Sequence, residues 1–329
     1  MPQTKFVMLL PELALLCAIY MGWSIGANDA ANCVGADIGS GVMKMSHGII
    51  ITCFFSFLGA LLLGSHVIKT IGKGIVPLDL LSKNSACLVA FTGLFGAATW
   101  VLIATYKKYP VSTSHAIVGA IAGAGMAIHA PVRWEKMIQI VICWVFTPLG
   151  AAVLSFLIYS LARKIFTIPL FRKYEKPLVV ILIYLTSIYL AFIWGANDVA
   201  NATGVLITTG LFDIREASLI GGLAIILGIV TLGHRVIETV GFRITNLTPL
   251  MTVGVEIASA LNVHLYTLWG IPVSTSHSIV GAIWGVGLCH GIKTIDLKLA
   301  REILLTWALT PVTAGIISFA LTKLVIFFR

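Results

Sequence analysis

Charge is what this sequence has least of. Of its 329 residues, 22 are Lys or Arg and 13 are Asp or Glu, 11% together, where a soluble domain carries roughly a quarter. Hydrophobic residues make up 58% and the mean hydropathy is +1.00. So little charge cannot coat a water-soluble particle, which excludes an ordinary cytosolic enzyme, a disordered chain and a coiled coil. Cysteine is also sparse. Cys17, Cys33, Cys53, Cys87, Cys143 and Cys289 stand singly, without a C-x-x-C pair or a Cys/His cluster of zinc spacing, so neither a disulfide scaffold nor a zinc fold is indicated. They read as small buried hydrophobes. The phosphate loop G-x-x-x-x-G-K-[ST] is missing as well, so this chain supplies no ATP-driven step of its own.

What the chain has in quantity is apolar runs. They fall near 6–25, 48–64, 86–106, 116–130 and 138–162, and again near 178–194, 219–232, 252–269, 278–290 and 303–328. About 20 apolar residues span a bilayer as a helix, so the expected fold is an all-α polytopic membrane protein. The runs 116–130 and 219–232 are short, which predicts tilted, partial or re-entrant segments there. The first run would pass for a signal peptide in isolation, but it leads into a motif that recurs after a later run, so it is expected to stay.

The recurrence is extensive. GANDAAN at 26–32 returns as GANDVAN at 195–201 with six of seven residues identical, and PVSTSHAIVGAIAGAG at 110–125 returns as PVSTSHSIVGAIWGVG at 272–287 with 13 of 16. Weaker echoes pair Gly64, Thr70 and Gly72 with Gly233, Thr239 and Gly241, and Trp144, Thr147 and Pro148 with Trp307, Thr310 and Pro311. The predicted organisation is a membrane repeat at 1–162, a basic loop at 163–177 and a second membrane repeat at 178–329. Five segments per repeat turn the second copy upside down, giving two inverted-topology repeats with helices broken or re-entrant at the repeat motifs. The net charge of +9 would fit nucleic-acid binding in a soluble domain; here it reads as the positive-inside bias. With 163–177 in the cytoplasm both termini lie outside, and 13 Lys and Arg fall in inside loops against eight in outside ones.

Polar residues inside the apolar part carry the chemistry. Asn28, Asp29 and Asn32 recur as Asn197, Asp198 and Asn201. A carboxylate within a membrane costs at least ~2.5 kcal/mol, so it normally faces a cavity, a partner or an ion. Helix capping would explain one such cluster; its repetition favours a site. Ser112, Thr113 and Ser114, matched by Ser274, Thr275 and Ser276, follow Pro110 and Pro272 and precede Gly/Ala-rich runs. A break and then a helix N-terminus is predicted, where free N–H groups, a positive dipole end and hydroxyls favour an anion; ordinary N-capping by Ser is the plainer alternative. His115 and His277 follow the trios. A Ser/His hydrolase needs one nucleophile and one oxyanion hole, not two of each, so no enzyme is expected. The histidines are structural or handle protons. Glu256, Asn262 and His264 have no first-half equivalents, and Glu256 is a further candidate for proton handling. No motif contains Lys or Arg, so an anion beside Asp29 and Asp198 must enter with a positive charge, Na+ or H+.

These paired motifs resemble the inorganic phosphate transporter (PiT) family of cation-coupled symporters, over nearly the whole chain. The resemblance implies a secondary active transporter that imports phosphate by alternating access. Asp29, Asp198 and the two hydroxyl trios would then surround phosphate, and Asn28, Asn32, Asn197 and Asn201 would bind the coupling cation, Na+ being possible there. It also implies a homodimer in the lipid bilayer, with no cofactor and no nucleic-acid partner. A carboxylate can accept the proton that phosphate keeps near neutral pH and sulfate lacks. However, many phosphate-carrying relatives have Glu three residues before the glycines aligned with Gly59 and Gly228, where this chain has Ser56 and Ile225. A symporter of sulfate or another tetrahedral oxyanion is therefore the alternative, followed by an anion channel. The short central loop implies the plasma membrane of a bacterium or archaeon.

Overall fold

The computed structural model describes residues 3–328 apart from 66 and 69–74. The first half folds into α1 (Gln3–Gly39), α2 (Met45–Leu63), α3 (Lys83–Tyr106), α4 (Thr113–Ala127) and α5 (Trp134–Ile165). After one helical turn at Pro169–Arg172 come α6 (Glu175–Thr208), α7 (Ile214–Leu232), α8 (His234–Phe242), α9 (Pro249–Leu268), α10 (Thr275–Leu288) and α11 (Leu297–Phe327). Among the described residues there is no strand. Every apolar run of the sequence falls on a helix, and among the described residues seven helices are long and apolar enough to cross a bilayer. The outer faces of α5 and α11 leave Leu149, Leu157, Leu309 and Ile316 more than half exposed. Water would penalise such a face; acyl chains do not.

Two expectations change. The segment at 219–232 is not short: α7 begins at Ile214, because Asp213 and Glu216 form a capping box that starts the helix with a polar turn hydropathy cannot see. The segment at 116–130 is short as expected, being α4 with 15 residues, and its short counterpart is α10 with 14. At 1.5 Å per residue each reaches only about 22 Å, less than a bilayer core. Nor do α1 and α6 end where their apolar stretches end; both run on through the GAND motifs. Of the weaker echoes, Gly64 caps α2 as Gly233 caps α7, while Thr70 and Gly72 lie outside the described residues.

Packing joins the halves to each other. Gly119 and Gly123 of α4 sit so close to α11 that an added Cβ would lie 2.1 Å from Pro311 O and 2.2 Å from Gly315 O. Reciprocally, Gly281 and Gly285 of α10 press on α5 at Pro148 and Ala152. Small residues let membrane helices approach this closely, so each short helix is completed by a long helix of the other half.

Candidate functional site

Helices α3 and α4 form one hairpin, and α9 and α10 another. Each turn closes by a bond back across six residues, Tyr109 N to Ala104 O at 3.0 Å and Ile271 N to Tyr266 O at 2.9 Å. This closure places one residue in the left-handed region, Gly270 at φ +66° and its equivalent Lys108 at φ +61°. Pro110 and Pro272 follow and keep the chain extended, and a new helix starts with Ser112 and Ser274 as caps, each accepting at 3.1 Å from the N–H of His115 and His277. The first residue of each trio is thus occupied in capping, as Ser commonly is.

The other two hydroxyls of each trio meet the motif helices. Asp29 Oδ2 accepts from Thr113 Oγ1 at 2.8 Å and Asp29 Oδ1 from Ser276 Oγ at 3.1 Å. Asp198 Oδ2 accepts from Thr275 Oγ1 at 3.1 Å, and Asp198 Oδ1 from Asn201 and Asn197 at 2.8 and 3.0 Å. Asn32 Nδ2 donates to Thr275 Oγ1 and Ser276 Oγ, and Asn201 Nδ2 to Ser114 Oγ. Hydroxyls from both hairpins therefore converge on two buried carboxylates from α1 and α6, and all of these residues are buried. Among the described residues none of these bonds involves Lys or Arg.

The amides are only half used. The side-chain oxygens of Asn32, Asn197 and Asn201 are buried without a hydrogen-bond partner, at a typical cost of about 1–3 kcal/mol each. Neutral hard oxygens beside two carboxylates are a donor set suited to a small cation. Asn28 differs, since its oxygen already accepts from Val111 N at 3.1 Å and its nitrogen donates to Thr105 Oγ1 and Tyr109 O.

His115 and His277 form a separate stack. His115 lies on Trp144 at 3.6 Å between ring centroids, His277 on Trp307 at 3.7 Å, and the imidazoles are 4.4 Å apart. Each Nδ1 faces the carbonyl of the opposite tryptophan, at 3.4 and 3.1 Å. A carbonyl only accepts, so both rings carry hydrogen on Nδ1, and both Nε2 atoms are buried without a partner. The sequence marked Trp144 and Trp307 as echoes without showing what they do. Glu256 lies elsewhere, with Thr186, Ser187 and Asp37. Asn262 bridges Thr147 O and Ser278 Oγ at 3.0 Å each, and His264 meets Tyr189.

The model of the phosphate transporter family matches residues 25–318, from the first motif to the last helix. The chain belongs to the phosphate transporter family. A Pyrococcus furiosus protein named as a phosphate permease is 31% identical, over 96% of this chain and 97% of that one. An inorganic phosphate transporter of Arabidopsis thaliana chloroplasts is 27% identical, over 93% and 70%. A solved structure titled the sodium-dependent phosphate transporter superposes with a TM-score of 0.84 at 29% identity, covering 97% of this chain and all of that one. This phosphate transporter family chain is accordingly an all-helical, multi-pass membrane transporter. In it, Ser56 and Ile225 are buried where the motif helices cross their neighbours. A Cβ on Gly195 would lie 1.9 Å from Ser56 O, and one on Gly26 2.0 Å from Ile225 O.

Proposed function

We propose that this protein is a symporter that imports inorganic phosphate, driven by Na+ or H+, with alternating access around the centre between Asp29 and Asp198. The observation that carries this reading is the convergence of two helix N-termini and their hydroxyls on two carboxylates without a basic side chain. An anion binds there by taking over the hydroxyls of Thr113, Ser114, Thr275 and Ser276. A protonated phosphate oxygen can in turn donate to Asp29 or Asp198, as sulfate cannot. Ser112 and Ser274 hold the helix ends in place. The unpartnered oxygens of Asn32, Asn197 and Asn201 favour a cation bound beside the carboxylates, and Asn28 fixes the α3–α4 turn next to them. The sodium-dependent relative favours Na+. His115 and His277, with free Nε2 atoms in an apolar stack, are the proton-handling candidates if H+ drives uptake. The remaining parts of the reading are an inverted arrangement of the halves, termini outside, a homodimer, and residence in a bacterial or archaeal plasma membrane. Sulfate is the second reading, on account of Ser56 and Ile225.

The test is uptake of radiolabelled phosphate and sulfate into proteoliposomes under imposed Na+ or H+ gradients. Phosphate should accumulate and sulfate should compete weakly. Asp29→Asn and Asp198→Asn should each lower uptake at least a hundredfold while the protein remains folded. Wild-type uptake in both variants would falsify the assigned roles, and accumulation of sulfate alone would replace the substrate.

A further inference from the structure

A second polar cluster is buried between α1, α6 and α9. Asp37 lies eight residues beyond Asp29 on α1, about 12 Å along the helix at 1.5 Å per residue. Its Oδ2 accepts from Ser187 Oγ at 2.8 Å, and the same hydroxyl is 3.4 Å from Glu256 Oε1. Thr186 Oγ1 bonds to Glu256 Oε2. Both carboxyl groups are inaccessible to solvent, and the single Ser187 hydroxyl lies between them.

Protons are short here. Each hydroxyl has one to give, and each is also claimed by its own helix: Ser187 Oγ is 2.6 Å from Ile183 O, and Thr186 Oγ1 is 2.9 Å from Leu182 O. Four carboxyl oxygens thus compete for at most two shared protons, and Asp37 Oδ1 is buried with no partner at all. Two ionised carboxylates in such surroundings repel strongly, and one of them normally keeps a proton. Among the described residues no basic side chain answers them. On α1 the buried Cys33 lies one turn before Asp37. From α5, Tyr159 packs against Gly254 but turns its hydroxyl to His290 Nε2 at 2.8 Å. From α2, the exposed His47 meets Tyr184 OH at 3.3 Å, one turn before Ser187.

The fold does not require these groups. Counted through the repeat, Asp37, Glu256, Ser187 and Thr186 correspond to Leu206, Leu94, Ala18 and Cys17, all buried and apolar. At these positions the other copy carries no carboxyl and no hydroxyl.

We propose that Asp37 and Glu256 bind one exchangeable proton between them, at a site distinct from the paired aspartates. This goes beyond the phosphate reading and does not depend on it. One proton relieves the repulsion between two carboxyls that share a hydroxyl and needs no further ligand to hold it. Binding leaves the pair with one negative charge, and release leaves two.

The experiment is infrared spectroscopy of the purified full-length protein in detergent, titrated in pH and compared with Glu256→Gln and Asp37→Asn. The wild type should show the carbonyl stretch of a protonated carboxylic acid that diminishes as pH rises, amounting to one acid per chain. The band should be absent from either variant at the same pH, with both variants eluting as monodisperse folded protein. Replacing KCl by NaCl at constant pH should leave the wild-type band unchanged. A band that survives in both folded variants overturns the proposal, and so does its loss on adding Na+, which would assign the site to sodium. Should neither variant fold, the wild-type comparison of KCl with NaCl still decides between proton and metal. Phosphate uptake enters none of these readouts, so a failure here leaves the transport reading to its own test.

Discussion

Asn28 and Asn197 occupy the same place in two copies of one motif, yet their amides are used differently. Asn28 gives its nitrogen to Thr105 Oγ1 and Tyr109 O and its oxygen to Val111 N, so the whole group serves the α3–α4 turn. Asn197 gives its nitrogen to Val273 O and to the neighbouring Asp198, and its oxygen has no partner. Thr105 and its equivalent Thr267 both bond back to their own helices, at Val101 O and Val263 O, but Thr105 also accepts from Asn28 whereas Asn197 turns to Val273 O instead. A repeated sequence therefore supplies the same groups twice without wiring them alike. The first copy clamps a hairpin, and the second leaves a buried amide oxygen unpartnered. Equal residues at equal places are expected to carry unequal loads.

The largest effect should come where the copies agree. Gly26→Ala and Gly195→Ala each drive a methyl group to within 2.0 and 1.9 Å of a backbone carbonyl on the crossing helix. Neither backbone can move away without opening the helix pair, so each should cost about 3 kcal/mol, the upper end of overpacking penalties. Melting of the two purified variants measures this, and a wild-type transition in either one breaks the matched crossing. The asparagines should then part company. Asn28→Ala removes three bonds and should destabilise by about 2 kcal/mol, against about 1 kcal/mol for Asn197→Ala. In phosphate-binding titrations, however, Asn197→Ala should raise the Na+ concentration needed severalfold and Asn28→Ala much less. Equal shifts in both readouts would erase the distinction drawn here. The smallest effect lies in the turns. Gly270→Ala should cost about 1 kcal/mol, because a left-handed residue with a Cβ is strained, and Lys108→Gly should regain a similar amount. The ion pair of Lys108 with Glu238, 2.6 Å apart on exposed side chains, offsets little of that gain. Thermal shifts of opposite sign are the expected result.

Much of this was legible because the information is local or repeated. The ten apolar runs mark helices by length alone, and proline before a Ser/Thr trio marks a break and a helix start. The convergence of Asp29 with Thr113 and Ser276 is foreshadowed by repetition, since nothing else explains two copies of so unusual a polar segment. What the sequence concealed depends on distant partners. Asn28, Asp29 and Asn32 look like the end of a helix, yet α1 continues through them, their side chains held by hydroxyls of α3, α4 and α10 and by backbone groups of the α3–α4 turn. Asp37 attracts no notice as one acid after a motif; its meaning comes from Ser187, 150 residues away, and from Glu256 on a third helix. The use of Asn28 was equally hidden, because it depends on carbonyl and N–H groups of the turn, which every sequence possesses.

The seating of α4 on α11 has a consequence for how the protein comes into being. The glycine face of α4 closes on Pro311 and Gly315, residues that leave the ribosome nearly two hundred positions later, and Trp307 in the same helix supplies the carbonyl facing His115. Contacts of such sequence separation form late. The first half must therefore wait in the bilayer with its short helix uncovered until the last segment is inserted. The same geometry makes the two halves complementary parts, so a chain cut within 163–177 should assemble only when both fragments are synthesised together.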